Sequence, residues 1–402
     1  MKDLNGKRLL LLGGARYLLP VIEAAHELGI YVITCDYLPD NIAHKYSDEY
    51  HNVSIIEKES ILQLAKKLSV NGIMSFACDP GVTTAAFVAE KMGLPFAGSY
   101  ESVSILQNKS RFRKFLSDNG FNVPMAKGYE SYEEAAKDVS LFNWPVIVKP
   151  VDSAGSKGVS RVDSPKNLKE SIEYALSFSH SKQFIIEEFI EKQGDSSDSD
   201  CFSVDGKLVF ASFSNQKFDK KAENPYTPAA YTWPSDMPDE IQEDLCKQLQ
   251  KLFDLLKLKT SIYNIETRQG TDGKAYIMEV SPRGGGNRLA EMVKYATGTD
   301  LIKNAVLAAV GEECEELQIP EYNYYLAECI LHSKKAGKFK ELKVDAQLEI
   351  IEKDLWVDVG QEIRTFTGAN EAIGTLVLKF DSKEDMENIV GNIDDYVEVI
   401  VK

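Results

Sequence analysis

Glu266 and Glu279 are the two residues whose placement points most directly to chemistry. They lie in alternating runs, Ser261–Arg268 and Ala275–Ser281, that flank Gly270-Thr271-Asp272-Gly273, the pattern of a β-hairpin. Closing the loop over Thr271–Lys274 sets Glu266 directly opposite Glu279, on one face with Asn264, Arg268, Ile277 and Ser281. Like charges opposed across a sheet destabilise it, so a cation is expected between them. Arg268 and Arg283 are candidates. So is Mg2+, which takes a few carboxylates and completes its shell with phosphate oxygens and water. An exposed hairpin with an incidental acidic pair is the plainer alternative.

Two lysines could serve such a site. Lys149 sits inside the apolar run Trp144–Pro150, where a charged side chain is costly unless it has a partner. Lys157 lies in the small-residue stretch Asp152–Gly158, which can wrap phosphate with backbone N–H groups. Gly155-Ser156-Lys157-Gly158 leads into a strand over Val159–Val162, so it is not the phosphate loop that opens a helix. A solvent-exposed turn is the alternative there. After the hairpin, Pro282-Arg283-Gly284-Gly285-Gly286-Asn287-Arg288 combines close backbone approach with two guanidinium groups, which suits a carboxylate; a flexible glycine turn into a helix is the competing reading.

The elements that position these residues follow from periodicity. Residues 7–105 alternate strands and helices: Arg8–Leu12, a helix over Pro20–Leu28, Tyr31–Cys35, a helix around Ser60–Leu68, Gly72–Phe76, and a helix opening at Asp79. That is an open parallel α/β unit. Gly13-Gly14 with Asp36 does not fit GxGxxG, and a tight strand-to-helix turn explains the glycines better than dinucleotide binding. Asn108-Lys109-Ser110 opens a helix ending near Asn119-Gly120. Gln183–Ile190 reads as a strand rising to Glu187 and Glu188, and the polar run Gly194–Asp200 as a partly mobile segment. Cys201–Val204 and Lys207–Ser212 form a second hairpin; Asn224–Pro228 and the stretch after Trp233 read as loop. A long amphipathic helix spans Asp239–Leu256, and helices over Ala290–Tyr295 and Asp300–Val310 follow the main hairpin. From about Tyr322 the pattern turns β-rich with glycine turns.

At 402 residues the chain is too long for one core. The expected division is an N-terminal unit over 1–106, a central region over 107–320 with a lid subdivision at about 122–187, and a small β-rich unit over 321–402. A net charge of −16 argues against a nucleic-acid partner, though it is no bar to a nucleotide held by local cations. The six cysteines lack any CxxC or metal-ligand spacing, and no apolar run reaches membrane-spanning length. A soluble cytoplasmic protein with reduced thiols is expected.

Taken in order, these features resemble the ATP-grasp carboxylate–amine ligases over almost the entire chain. The match runs through Asn108-Lys109, Val148-Lys149-Pro150, Ser153–Gly158, Ile186–Ile190, Glu266, and Glu279-Val280-Ser281-Pro282-Arg283. The stretch from Pro282 to Arg288, with Glu291-Met292-Val293 and Ala296–Asp300, looks like the branch that includes amino-acid ligases and carbamoyl-phosphate synthase. The resemblance implies an α/β and α+β multidomain fold and two bound cofactors: ATP, and Mg2+ as one or two ions with Mn2+ as a substitute. It implies that Lys109 and Lys149 contact ATP phosphates, while Ser153, Gly155, Ser156, Lys157 and Gly158 close over them. Glu187 would accept from the adenine amino group, with Glu188, Phe189 and Ile190 framing the base and Asp195 holding the ribose. Glu266, Glu279 and Ser281 would bind metal. Arg283 would meet the transferred phosphate, acting with Lys149 in catalysis, and Arg283, Gly285, Gly286, Asn287 and Arg288 would bind substrate. Ser281 departs from the family, which usually has Asn there; Asn264, across from it, is the candidate to supply the missing amide oxygen. Asn215–Lys217 and the loop Tyr226–Tyr231 would line a second pocket.

The reaction so implied joins a small carboxylate, an amino acid in the first instance, to an amine through an acyl-phosphate, releasing ADP and phosphate. No Ser-His-Asp or Cys-His arrangement is evident, and positioning plus charge neutralisation needs none. Small-molecule substrates and no nucleic-acid or membrane partner are expected, with a homodimer as the candidate assembly. Three alternatives stay open: a bicarbonate-activating carboxylase or carbamoyl-phosphate-type enzyme, a purine-pathway ligase acting on a ribosylamine, and a nucleotide-binding regulator without catalysis.

Overall fold

Four consecutive leucines, Leu9 to Leu12, are fully buried in the first strand, Arg8–Leu12. Leu9 and Leu11 pack into one apolar cluster, Leu10 and Leu12 into another, so this strand must be covered on both faces. It pairs in parallel with Tyr31–Cys35 on one side and Gly72–Ser75 on the other, and Glu49–His51 adds a fourth, edge strand. The helices Lys58–Leu68 and Asp79–Met92 cover the Leu10 face. The Leu9 face is covered from two directions: by Leu19–Glu27, and by the helices Leu289–Thr297 and Leu301–Ala309 from far along the chain. The structure, a computed structural model, describes residues 4–153, 155, 157–224 and 226–402.

The expected architecture is the one observed: a parallel α/β sheet first, then antiparallel sheets. A small sheet follows in the order Ala126–Tyr129, Phe184–Glu188, Val146–Pro150, Ser160–Val162, backed by the helix Leu168–Phe178. The sheet at the centre of the molecule runs Lys207–Ala211, Ser197–Val204, Ser261–Gln269, Ala275–Ser281. Its apolar face is sealed by the amphipathic helix Asp239–Leu256, through Leu245, Leu249, Leu252 and Phe253 against Ile265, Ile277 and Val280.

Two expectations fail here. The polar run Gly194–Asp200 is not mobile: from Ser197 it is strand, and Ser197, Ser199 and Asp200 are fully buried. Its alternation sends the serines to one face and the acids to the other, where cross-strand partners receive them. The loops expected over Asn215–Lys217 and Tyr226–Tyr231 are largely strands, Asn215–Phe218 and Pro228–Trp233. They continue a five-stranded sheet whose remaining members, Tyr325–Leu331, Gly374–Phe380 and Ile350–Leu355, come from the end of the chain. A three-stranded sheet of Glu362–Ile363, Gly337–Val344 and Val397–Val401 flanks it. Among the described residues no helix is long and apolar enough to cross a membrane.

The turn after the main hairpin meets the N-terminal sheet closely. The Ala77 N–H donates to the Gly284 carbonyl at 3.1 Å, and a Cβ on Gly284 would lie 2.2 Å from Cζ of Phe76. Gly284→Ala therefore forces the two segments apart. The expected loss of stability is about 1–3 kcal/mol, read as a lower denaturant midpoint at unchanged m-value.

Candidate nucleotide and metal site

The hairpin register is the expected one at its functional end. Glu266 lies opposite Glu279, Ile265 opposite Val280, and Asn264 opposite Ser281. Nearer the turn it differs. Arg268 pairs with Tyr276 and Thr267 with Ile277, because a β-bulge at Met278 inserts one residue between the two halves. Ile277 consequently packs with Ile265 and Val280 on the apolar face and does not share the carboxylate face. The third strand completes the row: Asp198 lies opposite Glu266 and Asp200 opposite Asn264. Neither arginine expected between the acids is there. Arg268 donates to Ser196 Oγ and to the Ile190 carbonyl, and Arg283 turns to Asp79.

Lys109 is the cation nearest the pair. It opens the helix Lys109–Asp118, whose N-cap is Asn108, the Asn108 side chain accepting from the Arg111 N–H at 3.0 Å. Its Nζ donates to the Ser153 carbonyl at 2.9 Å and lies 3.7 Å from Glu279. One turn on, Arg113 is almost fully buried and donates Nε to Glu187 at 2.9 Å and Nη1 to the Met278 carbonyl at 2.8 Å. Lys149 donates to the other oxygen of Glu187. Burial pushes the Lys149 ammonium below its usual range, while Glu187 pulls it back. Burial opposes ionisation of Glu187, but Arg113 and Lys149 outweigh it and hold the carboxyl at about 2. Both Glu187 oxygens are thus occupied by cations.

The remaining nucleotide candidates spread around this cluster. Gly155 and Gly158 adopt φ of +67° and +72°, which only glycine tolerates cheaply, and Lys157 is exposed between them. Ser153 contributes its carbonyl to Lys109; Ser156 lies outside the described residues. Glu188 accepts from the backbone and side chain of Asn143 at 2.7 and 2.9 Å. The Phe189 N–H donates to the Pro145 carbonyl, and Arg161 covers the Phe189 ring at 4.4 Å. Asp195 is paired with Lys217 at 2.5 Å and Lys192 at 3.7 Å.

Beyond the hairpin, Arg283 grips Asp79 with two hydrogen bonds, Nε to Oδ1 at 2.9 Å and Nη2 to Oδ2 at 2.8 Å. Ser281 donates to the same Asp79 oxygen at 2.9 Å and accepts from Gln107 Nε2 at 2.7 Å. Arg283 and Ser281 overcome the burial of Asp79 and lower its carboxyl. Asn264 turns its amide nitrogen to Asp198 at 2.8 Å. Burial first, then the neighbouring acid, raises Asp198 and Asp200 to about 7 each. The Gly285 N–H, expected to meet a substrate carboxylate, meets that of Asp200 at 2.9 Å. Gly286 has no neighbour close to where a Cβ would sit. Asn287 donates to the Tyr231 hydroxyl at 3.0 Å, and Arg288 makes a bidentate pair with Glu352 while also holding Glu291.

Several residues of this site escaped the sequence reading, and each left a trace. Arg113 stands four residues after Lys109, on the same helical face. Asp198 and Asp200 alternate with serines at strand period directly before Cys201. Asp79 was legible as a helix start and nothing more. Glu328 is a lone acid in the apolar run Tyr325–Leu331, which the argument used for Lys149 would have singled out.

Two lysines thus lie near a glycine-bearing segment, Lys109 beside the opposed acids and Lys149 bound to Glu187. Residues 142–291 match the ATP-grasp domain, so this stretch of the chain carries that domain. The carbamoyl phosphate synthase large chain of Pseudothermotoga lettingae is 26% identical over 318 residues, 78% of this chain and 28% of that one. The chain thus spans little more than a quarter of that relative. Among solved structures, the L-amino acid ligase of Bacillus licheniformis has a TM-score of 0.81 at 20% identity, covering 99% of both chains. The phosphoribosylglycinamide synthetase of Anaerococcus prevotii has a TM-score of 0.75 at 22% identity, covering 98% of this chain and 100% of that one. At these identities the likeness establishes the fold.

Two outcomes test the charge cluster. Arg113→Met leaves a buried carboxylate with half its compensation, and a loss of about 3–5 kcal/mol is expected in equilibrium unfolding. Glu187 has a folded-state value below its unfolded one, so its contribution is complete above the ordinary value of 4.5 and is lost as pH falls from there towards about 2. Glu187→Gln should flatten the acid limb of the stability profile over that window.

Proposed function

We propose that this chain is an ATP-dependent ligase that activates a small carboxylate, an amino acid, as an acyl-phosphate and joins it to an amine. One observation carries the reading: Glu266 and Glu279 oppose each other on the face that also receives Lys109, with Lys149 and Arg113 immediately behind. Mg2+ fits the donor set. Among the described residues no group of three or more His, Cys, Asp or Glu is arranged to hold a metal, so two carboxylates would share the ion with phosphate oxygens and water. Glu266 and Glu279 would hold it. Ser281 is a poorer ligand, its hydroxyl already hydrogen-bonded to Asp79 and Gln107. When bound, the ion neutralises phosphate charge and orients the transferred group.

The chain's own residues do the rest. Lys109 and Lys149 place two ammonium groups where the phosphates sit, and Glu187 keeps the Lys149 side chain extended in a buried strand. Gly155, Lys157 and Gly158 cover the phosphates and exclude water. Phe189 and Ile190 present backbone to the base, and an acid of the 195–200 run takes the ribose. A carboxylate oxygen of the substrate attacks the γ-phosphorus, the bond to the bridging oxygen breaks, and ADP leaves. The amine then attacks the acyl carbon, the bond to the phosphate oxygen breaks, and the nitrogen loses its proton. Arg283, rigidly set by Asp79, retains guanidinium N–H groups beyond those bonds to stabilise the acyl-phosphate.

The carbamoyl phosphate synthase relatives favour a second reading, in which bicarbonate is the carboxylate activated. A phosphate-release screen of amino acids, singly and in pairs, against bicarbonate, with ATP and Mg2+, separates the two. Glu279→Gln is expected to reduce turnover by about three orders of magnitude or more while the melting temperature stays within a few degrees; an active, Mg2+-dependent variant removes the metal assignment. Asn264→Ala should leave the Mg2+ requirement intact and lower the rate through Asp198, its hydrogen-bonding partner.

A further inference from the structure

Glu328 is fully buried on the strand Tyr325–Leu331, and neither of its carboxylate oxygens has a hydrogen-bond partner among the described residues. Other acids around the site have partners: Glu187 two cations, Asp79 Arg283, Glu352 Arg288 and the Tyr295 hydroxyl, while Asp200 accepts from the Gly285 N–H through one oxygen and leaves the other unpartnered. Glu328 faces Arg288, Glu291 and Glu352, and its charge is felt by the Tyr17 and Tyr231 hydroxyls. Arg288 is the cation among these groups, and its bonds to carboxylates go to Glu291 and Glu352. Burial drives the Glu328 carboxyl well above its usual range, as an acid short of a cation must be. A buried carboxyl with no partner of its own stays protonated unless a positively charged group is brought to it.

The location is that of a ligand site. In the parallel sheet the chain order reverses between Arg8–Leu12 and Gly72–Ser75, and such crevices, at the carboxyl ends of the strands, are where open α/β sheets bind ligands. The turn leaving Leu12 carries Arg16 and Tyr17, both of which meet Trp356 from the end of the chain, at 5.4 and 6.3 Å. The Tyr17 hydroxyl reaches Asn287 at 3.4 Å. Glu328 pairs across the sheet with Tyr231, and the Tyr231 hydroxyl donates to Asp198 at 3.3 Å, directly opposite Glu266. A single tyrosine thus separates the unmatched carboxylate from the acids facing the nucleotide.

We infer that Glu328 receives the ammonium group of the amino acid whose carboxylate is activated. This rests on the ligase reading above. The attacking amine has to be neutral to react, and a buried carboxylate would hold it as ammonium; the partner of Glu328 is therefore the substrate's other amine, the one that does not attack. The substrate would lie with its carboxylate toward Glu266 and Glu279 and its ammonium between Glu328 and Glu352, under Tyr17.

The test compares ADP release from L-alanine and propionate, and from L-lysine, L-norleucine, ε-aminocaproate and caproate, each with the acceptor found in the screen. The lysine series shows whether the α- or the side-chain ammonium is read. Wild type should require the ammonium, and Glu328→Gln should raise KM for the amino acid by about tenfold or more while KM for ATP stays within about twofold. The same substitution should erase the preference over the desamino acid, which a merely structural role would not do. Amino-acid-driven release with the preference intact in Glu328→Gln overturns the inference and leaves the ligase standing. Equal use of desamino acids by the wild type overturns it whatever the variant does, including failing to fold. Release driven by bicarbonate or a ribosylamine and by no amino acid overturns the ligase reading itself.

Discussion

The bidentate bond between Arg283 and Asp79 is the interaction on which the arrangement of this molecule depends. Asp79 starts a helix of the first sheet, and Arg283 ends the central hairpin. Holding these two together fixes the height of Glu279 and Ser281 relative to the N-terminal crevice. It also holds the glycine turn that follows, so that Gly284 touches Phe76 and Gly285 reaches Asp200. A bond of this kind is weak evidence for net stability, because desolvating both partners is costly. Its contribution is geometric: two sheets without a strand in common acquire one shared coordinate.

A second organising theme is how the chain, strongly acidic overall, distributes its few buried cations. Arg113 and Lys149 meet one carboxylate, a surplus of positive charge where phosphates are proposed to sit. Arg288 meets two while a third, Glu328, goes without a partner, a deficit where a cationic group is proposed. The hairpin acids lie between the two regions. The net charge of the whole molecule conveys none of this, since the useful quantity is local and changes sign over a few strands.

Much of the fold was legible because its periodicities are clean. The leucine run, the helix Asp239–Leu256 and the hairpin register at Glu266 and Glu279 all follow from counting residues. What was not legible has specific causes. The bulge at Met278 leaves no mark in composition, so the half of the hairpin nearer the turn was set one residue out. Serine and aspartate in alternation read as solvated chain because their partners, on a strand about sixty residues later, are not local. Arg283 was set beside the acids nearest in sequence and Arg288 against a substrate carboxylate, whereas the two pair with acids from opposite ends of the chain.

The five-stranded sheet joins residues from both sides of the central hairpin, with Tyr231 beside Glu328. During synthesis, Pro228–Trp233 must wait roughly a hundred residues for the strand that covers it. Until then Tyr231 and Trp233, both fully buried in the finished protein, border an open edge of the kind that recruits other chains. Translation rate and chaperone access therefore bear on this segment, and a chain cut short before Tyr325 would keep its central sheet and leave this edge unpaired.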